Sequence, residues 1–267
     1  SAAFSPDGSL VLTASDDCTA VLWSAGTGEA LRTLSGHSEW VVFAAFSPDG
    51  ALAATAAADC TAKLWSAISG DCLLTLKGHT AGVTFAAFSP DSDVVVTSAD
   101  DCTARLWSSS SGSCLRIFDG NSAHIRSAVF SPDGVIFATV SSDHTVKLWG
   151  ADSDTCRRAL AGHRADICCV AFSADGALVA TASQDSMAKV WSAKSGECLL
   201  TLLGHRGAVR SAAFSPDGAL VLTASSDRTA KVWSTESGEC LRTFKGHRHA
   251  VFSAVFSPPL CAGAALR

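Results

Sequence analysis

The feature that most limits how this chain can fold is a repeat of 42 residues held from one end to the other. Phe-Ser-Pro-Asp-Gly begins at Phe4, Phe46, Phe130 and Phe214, and variants begin at Phe88 (Asp91-Ser92), Phe172 (Ala174) and Phe256 (Pro258-Pro259). Gly-His stands at Gly36, Gly78, Gly162, Gly204 and Gly246, with Gly120-Asn121 in the remaining slot. Leu/Val-Trp-Ser is centred on Trp23, Trp65, Trp107, Trp191 and Trp233, with Trp149-Gly150 as its variant. Three separate markers keep one phase without insertion or deletion. A unit of this length cannot bury its apolar face alone and must stack on its neighbours; a period of roughly 40–45 residues is the one found in propeller blades.

Each unit reads as four short strands. Residues 41–46 (Val-Val-Phe-Ala-Ala-Phe) are an apolar run that stops at Ser-Pro-Asp-Gly, where Pro presets a turn and Gly supplies positive φ. Residues 51–57 form a second small, apolar strand ending at a turn around Asp59-Cys60. Thr61 to Ser66 alternates, with Ala62, Leu64 and Ser66 on one face and Lys63 and Trp65 on the other. A further Gly turn, Ser69-Gly70, leads into residues 72–77, predicted as the outermost strand because its counterparts carry Lys and Arg. No segment has a helical period. The expected fold class is all-β: a β-propeller of four-stranded antiparallel blades, with six repeats of 42 residues and a partial seventh.

Composition supports a globular core: 48% of the residues are apolar and 17% charged. The net charge of −5 excludes a bulk basic field for nucleic acid, although a local patch remains open. The longest apolar runs, such as Trp40 to Phe46, are far short of a membrane span, and Ser1 is followed by no signal-peptide pattern. Because the first residue is not Met, residues 1–267 are expected to be one domain within a longer chain. Cysteines recur at fixed places in the repeat: Cys18, Cys60 and Cys102 in one series, and Cys72, Cys114, Cys156, Cys198 and Cys240 in another. Such spacing puts them on successive copies instead of bringing them together, so disulfides and zinc are not expected. They read as reduced, small apolar fillers of an intracellular protein, cytoplasmic or nuclear.

Gly-His, Phe-Ser-Pro-Asp-Gly, Ser-x-Asp-x-Thr and Leu-Trp follow one another in this order across essentially all 267 residues. In this the chain resembles the WD-repeat β-propeller family. One departure is regular: the Asp that follows Trp in that family is here Ser24, Ser66, Ser108, Gly150, Ser192 and Ser234. The resemblance implies a hydrogen-bonded tetrad in each blade, joining the His of Gly-His, a Thr, the turn Asp and the Trp. Carried over, these are His37, Thr55, Asp59 and Trp65, then His79, Thr97, Asp101 and Trp107. The fourth copy gives Asn121, Thr139, Asp143 and Trp149. His163, Thr181, Asp185 and Trp191 follow, and then His205, Thr223, Asp227 and Trp233. A Thr-His-Asp grouping also suggests a hydrolase triad, but its recurrence beside a Trp in copy after copy points to structural hydrogen bonding. The first copy has Thr13, Asp17 and Trp23 without a preceding Gly-His, and the last has Gly-His without a following Trp. Either residues 246–256 supply His247 and an inner strand to the first blade, closing a six-bladed ring, or the chain is a truncated seven-bladed propeller.

In repeat proteins the framework recurs and the binding residues vary. The resemblance implies that the Gly-His loops and the turns before the tetrad Asp share one partner-binding face. The copy-specific residues expected there are Asp16, Trp40, Asp100, His124, Arg126, Asp166, Arg210 and Phe252, with Trp40 the one Trp outside the repeat phase. Charge is uneven: residues 1–133 carry 6 basic and 14 acidic side chains, and residues 134–267 carry 14 and 11. In the Gly-His loops, Ser38, Thr80 and Ser122 give way to Arg164, Arg206 and Arg248, an arc suited to an acidic or phosphorylated peptide. The expected function is a non-catalytic protein-interaction scaffold without cofactor, part of a multidomain protein or complex. Two alternatives stay open. One is a propeller enzyme with a central-channel site, for which no Gly-rich phosphate loop, His-Glu-x-x-His or Cys/His cluster is present. The other is weak nucleic-acid binding through the arc, which lacks interleaved aromatics apart from Phe252.

Overall fold

The repeat becomes structure through one turn per unit. In Ser47-Pro48-Asp49-Gly50, the Ser47 hydroxyl donates to the Asp49 carboxylate and accepts from the amide of Leu52, while Gly50 turns the chain at a φ of 73°. The Ser–Asp bond recurs at 2.5–2.6 Å in all six copies that are described through this turn. The copies that break the motif show which parts matter. Ser92 takes the left-handed conformation in place of Gly, and Ala174 replaces Pro, yet both turns close in the same way. The Ser–Asp pair carries the turn; Pro presets it.

On either side of that turn the computed structural model, which describes residues 1–153 and 155–257, places strands. The described residues form six four-stranded antiparallel sheets, each a simple meander, and contain no helix. Sheet one comprises β1 (Ala2–Phe4), β2 (Leu10–Ala14), β3 (Thr19–Ser24) and β4 (Ala30–Ser35). Sheet two comprises β5 (Val41–Phe46), β6 (Leu52–Ala57), β7 (Thr61–Ser66) and β8 (Cys72–Lys77). Sheets three to six repeat the plan over residues 83–118, 125–160, 167–202 and 209–244. In β6 five consecutive residues are buried, so both faces of the strand are covered, and Ala-rich composition is what such a crowded strand requires. In β8 exposure dominates, as suits an edge strand.

The described chain divides into two compact units. The first is Ser1–Asp143 with Lys147–Arg157, and the second is His144–Val146 with the chain from Arg158 onward. In the first unit, sheets pack face to face, and the outer-strand residue of one sheet meets the Trp of the next. Leu34 clusters with Trp65, Leu76 with Trp107, and Phe118 with Trp149 at a ring separation of 5.4 Å. In the second unit Leu202 clusters with Trp233 in the same way.

Two expectations are corrected. Sheet one already owns an innermost strand, β1, drawn from residues 2–4, so residues 246–256 are not needed in that place. Instead Val251 and Ala254 bond to sheet six, through the Ser225 carbonyl (3.0 Å) and the Ser211 hydroxyl (3.3 Å). These repeat the bonds that Val41 and Ala44 make to Ser15 and Ser1 on sheet one, but residues 251–257 form no strand, and His247 is exposed. Pro258 and Pro259 lie outside the described residues. The cysteines that open the outer strands (Cys72, Cys114, Cys156, Cys198 and Cys240) are exposed, so they are not interior fillers; all ten cysteines in the described residues are free thiols.

Candidate functional site

Four sheets carry a complete polar chain from solvent edge to core. In sheet two, His37 Nδ1 lies 2.8 Å from Asp59 Oδ2, and Nε2 lies 2.7 Å from Thr55 Oγ1. Trp65 Nε1 donates to the same Thr55 oxygen at 2.8 Å. His79, Thr97, Asp101 and Trp107 repeat this in sheet three. His163, Thr181, Asp185 and Trp191 do so in sheet five, and His205, Thr223, Asp227 and Trp233 in sheet six. The direction of the chain follows from donor counting. An indole only donates and an ionised carboxylate only accepts, so the Thr oxygen accepts from Trp and Nδ1–H donates to Asp. With the imidazole neutral, Nε2 then accepts the Thr proton. Burial is the main cause that holds the pKa of His37, His79, His163 and His205 below the ordinary imidazole value, against the pull of the partner Asp.

The Asp closes the network at the surface end. Burial pushes Asp59 upward, but the Thr61 hydroxyl, His37 and the Ser38 amide bond its charged form and the net shift is downward. Asp101 comes down to about 2 for the same reasons, its donors including Thr103, the Thr80 amide and His79. Because in these four sheets the amide after the Gly-His pair binds the turn Asp, at 2.9–3.1 Å, the Gly-His loop and the Asp turn are fastened to one end of each of them. Further bonds, Gln184 to the Asp166 carbonyl and Ser226 to the Ala208 carbonyl, tie the same loops together.

Sheet four departs from this. Thr139 donates to Asn121 Oδ1 at 3.3 Å and accepts from Trp149 at 2.9 Å, so the inner half of the chain survives. Asn121 Nδ2 is buried without a partner, and the Ser122 hydroxyl binds Asp143 instead. The regular Ser after Trp has a turn role: Ser24, Ser66, Ser108, Ser192 and Ser234 each accept the amide three residues on, at 3.1–3.3 Å.

As chemistry, Asp–His–Thr has the order of a hydrolytic relay. Its hydroxyl is unavailable, however: Thr55, Thr97, Thr181 and Thr223 are fully buried and each is capped by an indole N–H. No substrate carbonyl can reach it. Among the described residues, no group of three or more His, Cys, Asp or Glu side chains is placed to hold a metal ion. Among the same residues, no helix is long and apolar enough to cross a membrane.

The copy-specific residues sit outside the network. In the first unit Trp40 is 57% exposed beside the exposed Val42, and Asp16 is exposed. His124 Nδ1 lies 2.7 Å from the Asp100 carbonyl oxygen and 3.5 Å from the Asp100 carboxylate, and Arg126 Nε donates to Ser142 at 3.1 Å. In the second unit Arg164, Arg206 and Arg248 are exposed. Arg210 donates to Ser226 at 2.9 Å and stacks 5.8 Å from the Phe252 ring, and an Asp166 oxygen lies 3.2 Å from His144 Nδ1. Arg228, Lys231 and Lys245 were missed by sequence reasoning; with Arg206 they line one pocket of sheet six. Reading the basic residues from the turn before the third repeat marker to the residue after the outer strand, copy against copy, is the signal that finds them.

A family model described as WD domain, G-beta repeat matches seven successive segments, residues 1–24, 28–66, 70–108, 112–150, 154–192, 196–234 and 238–259. The comparison with curated proteins gave no match. The matched frame and the His–Thr–Asp–Trp chains meet in the same residues. By both, the chain belongs to the WD-repeat family, and its four-stranded sheets are blades of the propeller type.

Proposed function

We propose that the protein is a non-catalytic interaction module that binds an acidic or phosphorylated segment of a partner protein on the Gly-His end of its second unit. WD repeats indicate a protein-interaction scaffold in general. The observation that carries the finer reading is the change of the Gly-His loops from Ser38, Thr80 and Ser122 to the exposed Arg164, Arg206 and Arg248. The framework needs only the backbone amide at this position, as Ser38 and Arg206 both show, so the guanidinium groups are free to serve recognition. Arg210 stacked on Phe252 adds a planar cation with an apolar flank, the kind of anchor that interfaces favour. Trp40 gives the first unit a separate exposed anchor. Catalysis finds no support in the Thr55, Thr97, Thr181 and Thr223 hydroxyls that face the imidazoles, since each is buried and capped by an indole N–H. Exposed free thiols on successive outer strands support a reducing, intracellular setting.

The test is affinity capture from cell extract on the full chain, its R164E/R206E/R248E variant and Trp40→Ala, with bound proteins quantified by mass spectrometry. Charge reversal is expected to remove a defined set of partners. An unchanged set overturns the acidic-segment reading.

A further inference from the structure

Sheet six contains a polar pocket of about 550 Å³ that includes Arg206, Arg228, Lys231, Lys245 and Asp227 in its lining. Four cations against one carboxylate leave the lining with net positive charge. Asp227 is committed to the framework: His205, the Arg206 amide and Thr229 occupy both of its oxygens. Among the described residues, no carboxylate lies within ion-pair distance of any of the four cations. Lys231 Nζ is held in place by Thr243 Oγ1 at 2.9 Å, a neutral acceptor that leaves its charge unmatched.

The repeat itself does not demand this arrangement. In sheet five the counterparts of Arg228 and Lys245 are Ser186 and Leu203, and no other copy carries cations at all four places. Arg228 adopts a φ of 73°, the left-handed turn position that the other copies fill with Cys, His or Ser. That conformation costs a side-chain-bearing residue about 1 kcal/mol or more, and a long cation does nothing to lower it. Like charges crowded into one recess repel until an anion enters. A phosphate monoester, with close to two negative charges and three acceptor oxygens, matches a pocket lined by four cations better than a single carboxylate does.

We propose that this pocket is a binding site for the phosphate of a phosphoserine or phosphothreonine in a docked partner peptide. The proposal rests on the interaction-module reading above and names the group that one subsite of it takes. A peptide is favoured over nucleic acid by the form of the charge. The cations line one pocket, no aromatic is among its lining residues, and the chain is net negative.

The test uses the full chain and fluorescence anisotropy with labelled short peptide pools, phosphorylated or unphosphorylated at one central Thr, and a labelled single-stranded RNA. Inorganic phosphate serves as competitor. The informative variant is R228S/K245L, which installs the residues that sheet five already folds with. The phosphorylated pool is expected to bind roughly tenfold or more tightly than its unphosphorylated twin, the scale of one or two charge-assisted hydrogen bonds. R228S/K245L should abolish that preference without lowering the melting temperature. Equal binding of the two pools, or a preference that survives R228S/K245L, overturns the proposal. So does tighter binding of the RNA with a steep salt dependence, or phosphate binding in the pocket with no discrimination between the pools. Capture by the wild-type chain, run on the same preparation, separates the two readings: a failed pocket leaves the partner set in place, whereas a failed module leaves no partner.

Discussion

In each tetrad an acceptor-only carboxylate faces Nδ1–H and a buried Thr hydroxyl faces Nε2, and burial keeps the imidazole between them neutral. Two pH effects follow with the same sign. The four His residues have folded pKa values below the ordinary 6.5, so below that pH the unfolded chain takes up protons that the folded chain refuses. The stability is complete above 6.5 and declines as pH falls through the lowered values. Asp59, Asp101, Asp185 and Asp227 are also lowered, so their contribution is present above the ordinary carboxylate value of 3.8 and is lost on further acidification, for Asp101 around pH 2. The urea midpoint should therefore fall from pH 7.5 to pH 5, before any carboxylate titrates. His79→Asn combined with His205→Asn should flatten that fall; an unchanged slope would assign it to other groups. Sheet four supplies the converse. Asn121→His should give the orphaned end of that chain a group able to reach Asp143, with a gain of about 1 kcal/mol in urea denaturation. A loss of stability there would mean that Ser122 already serves Asp143 better than an imidazole can.

At the scale of strands, one place in the repeat reports whether a sheet is covered. Leu34, Leu76, Phe118, Leu160 and Leu202 are each at most 1% exposed, while Phe244, in the same register, is 53% exposed. In the clusters described above, the Trp of the following copy lies on this residue, and the sequence has no Trp after Trp233. Leu76→Ala should cost about 2–5 kcal/mol, as for other fully buried Leu, whereas Phe244→Ala should change stability by well under 1 kcal/mol. Comparable losses at the two sites would show that Phe244 is covered in solution. Much of this scale was legible in the sequence. The alternation in residues 61–66, the Ser-Pro-Asp-Gly stop and the 42-residue step place every strand of sheet two, because a period-2 pattern bounded by turn residues leaves a strand few alternatives. What could not be read was what a changed residue does within its copy. The Asn121 gap depends on a buried amide finding no partner, and the basic pocket depends on Arg228 and Lys245 meeting across a turn and an outer strand that are 17 residues apart. Neither is a property of spacing. The exposed outer-strand cysteines were misjudged for a related reason: regular recurrence says that a position is structurally equivalent in each copy, not that it faces inward.

For the molecule as a whole, a fold assembled from equivalent sheets should divide its stability among neighbouring contacts, with no single core holding it. The hydrophobic residues separate into several clusters, each made from two adjacent copies. Leu34 and Trp65 belong to one, Leu76 and Trp107 to another, and Phe118 and Trp149 to a third. This arrangement lets recognition vary freely, since a loop residue such as Trp40 or Arg206 takes part in no cluster that other copies depend on. It also makes a quantitative claim about coupling. Leu34→Ala and Phe118→Ala strike separate clusters of the first unit, and their losses should sum in the double variant to within about 0.5 kcal/mol. Leu76→Ala and Trp107→Phe strike one cluster and share packing surface. Their double variant should depart from the sum by about 0.5–3 kcal/mol, the range for residues in contact. Urea denaturation of the wild-type chain and the six variants, followed by far-UV circular dichroism, measures both cycles. Strong coupling between Leu34 and Phe118 would mean that strain passes through sheets two and three undiminished, and the copies would then be parts of one core instead of a row of local ones.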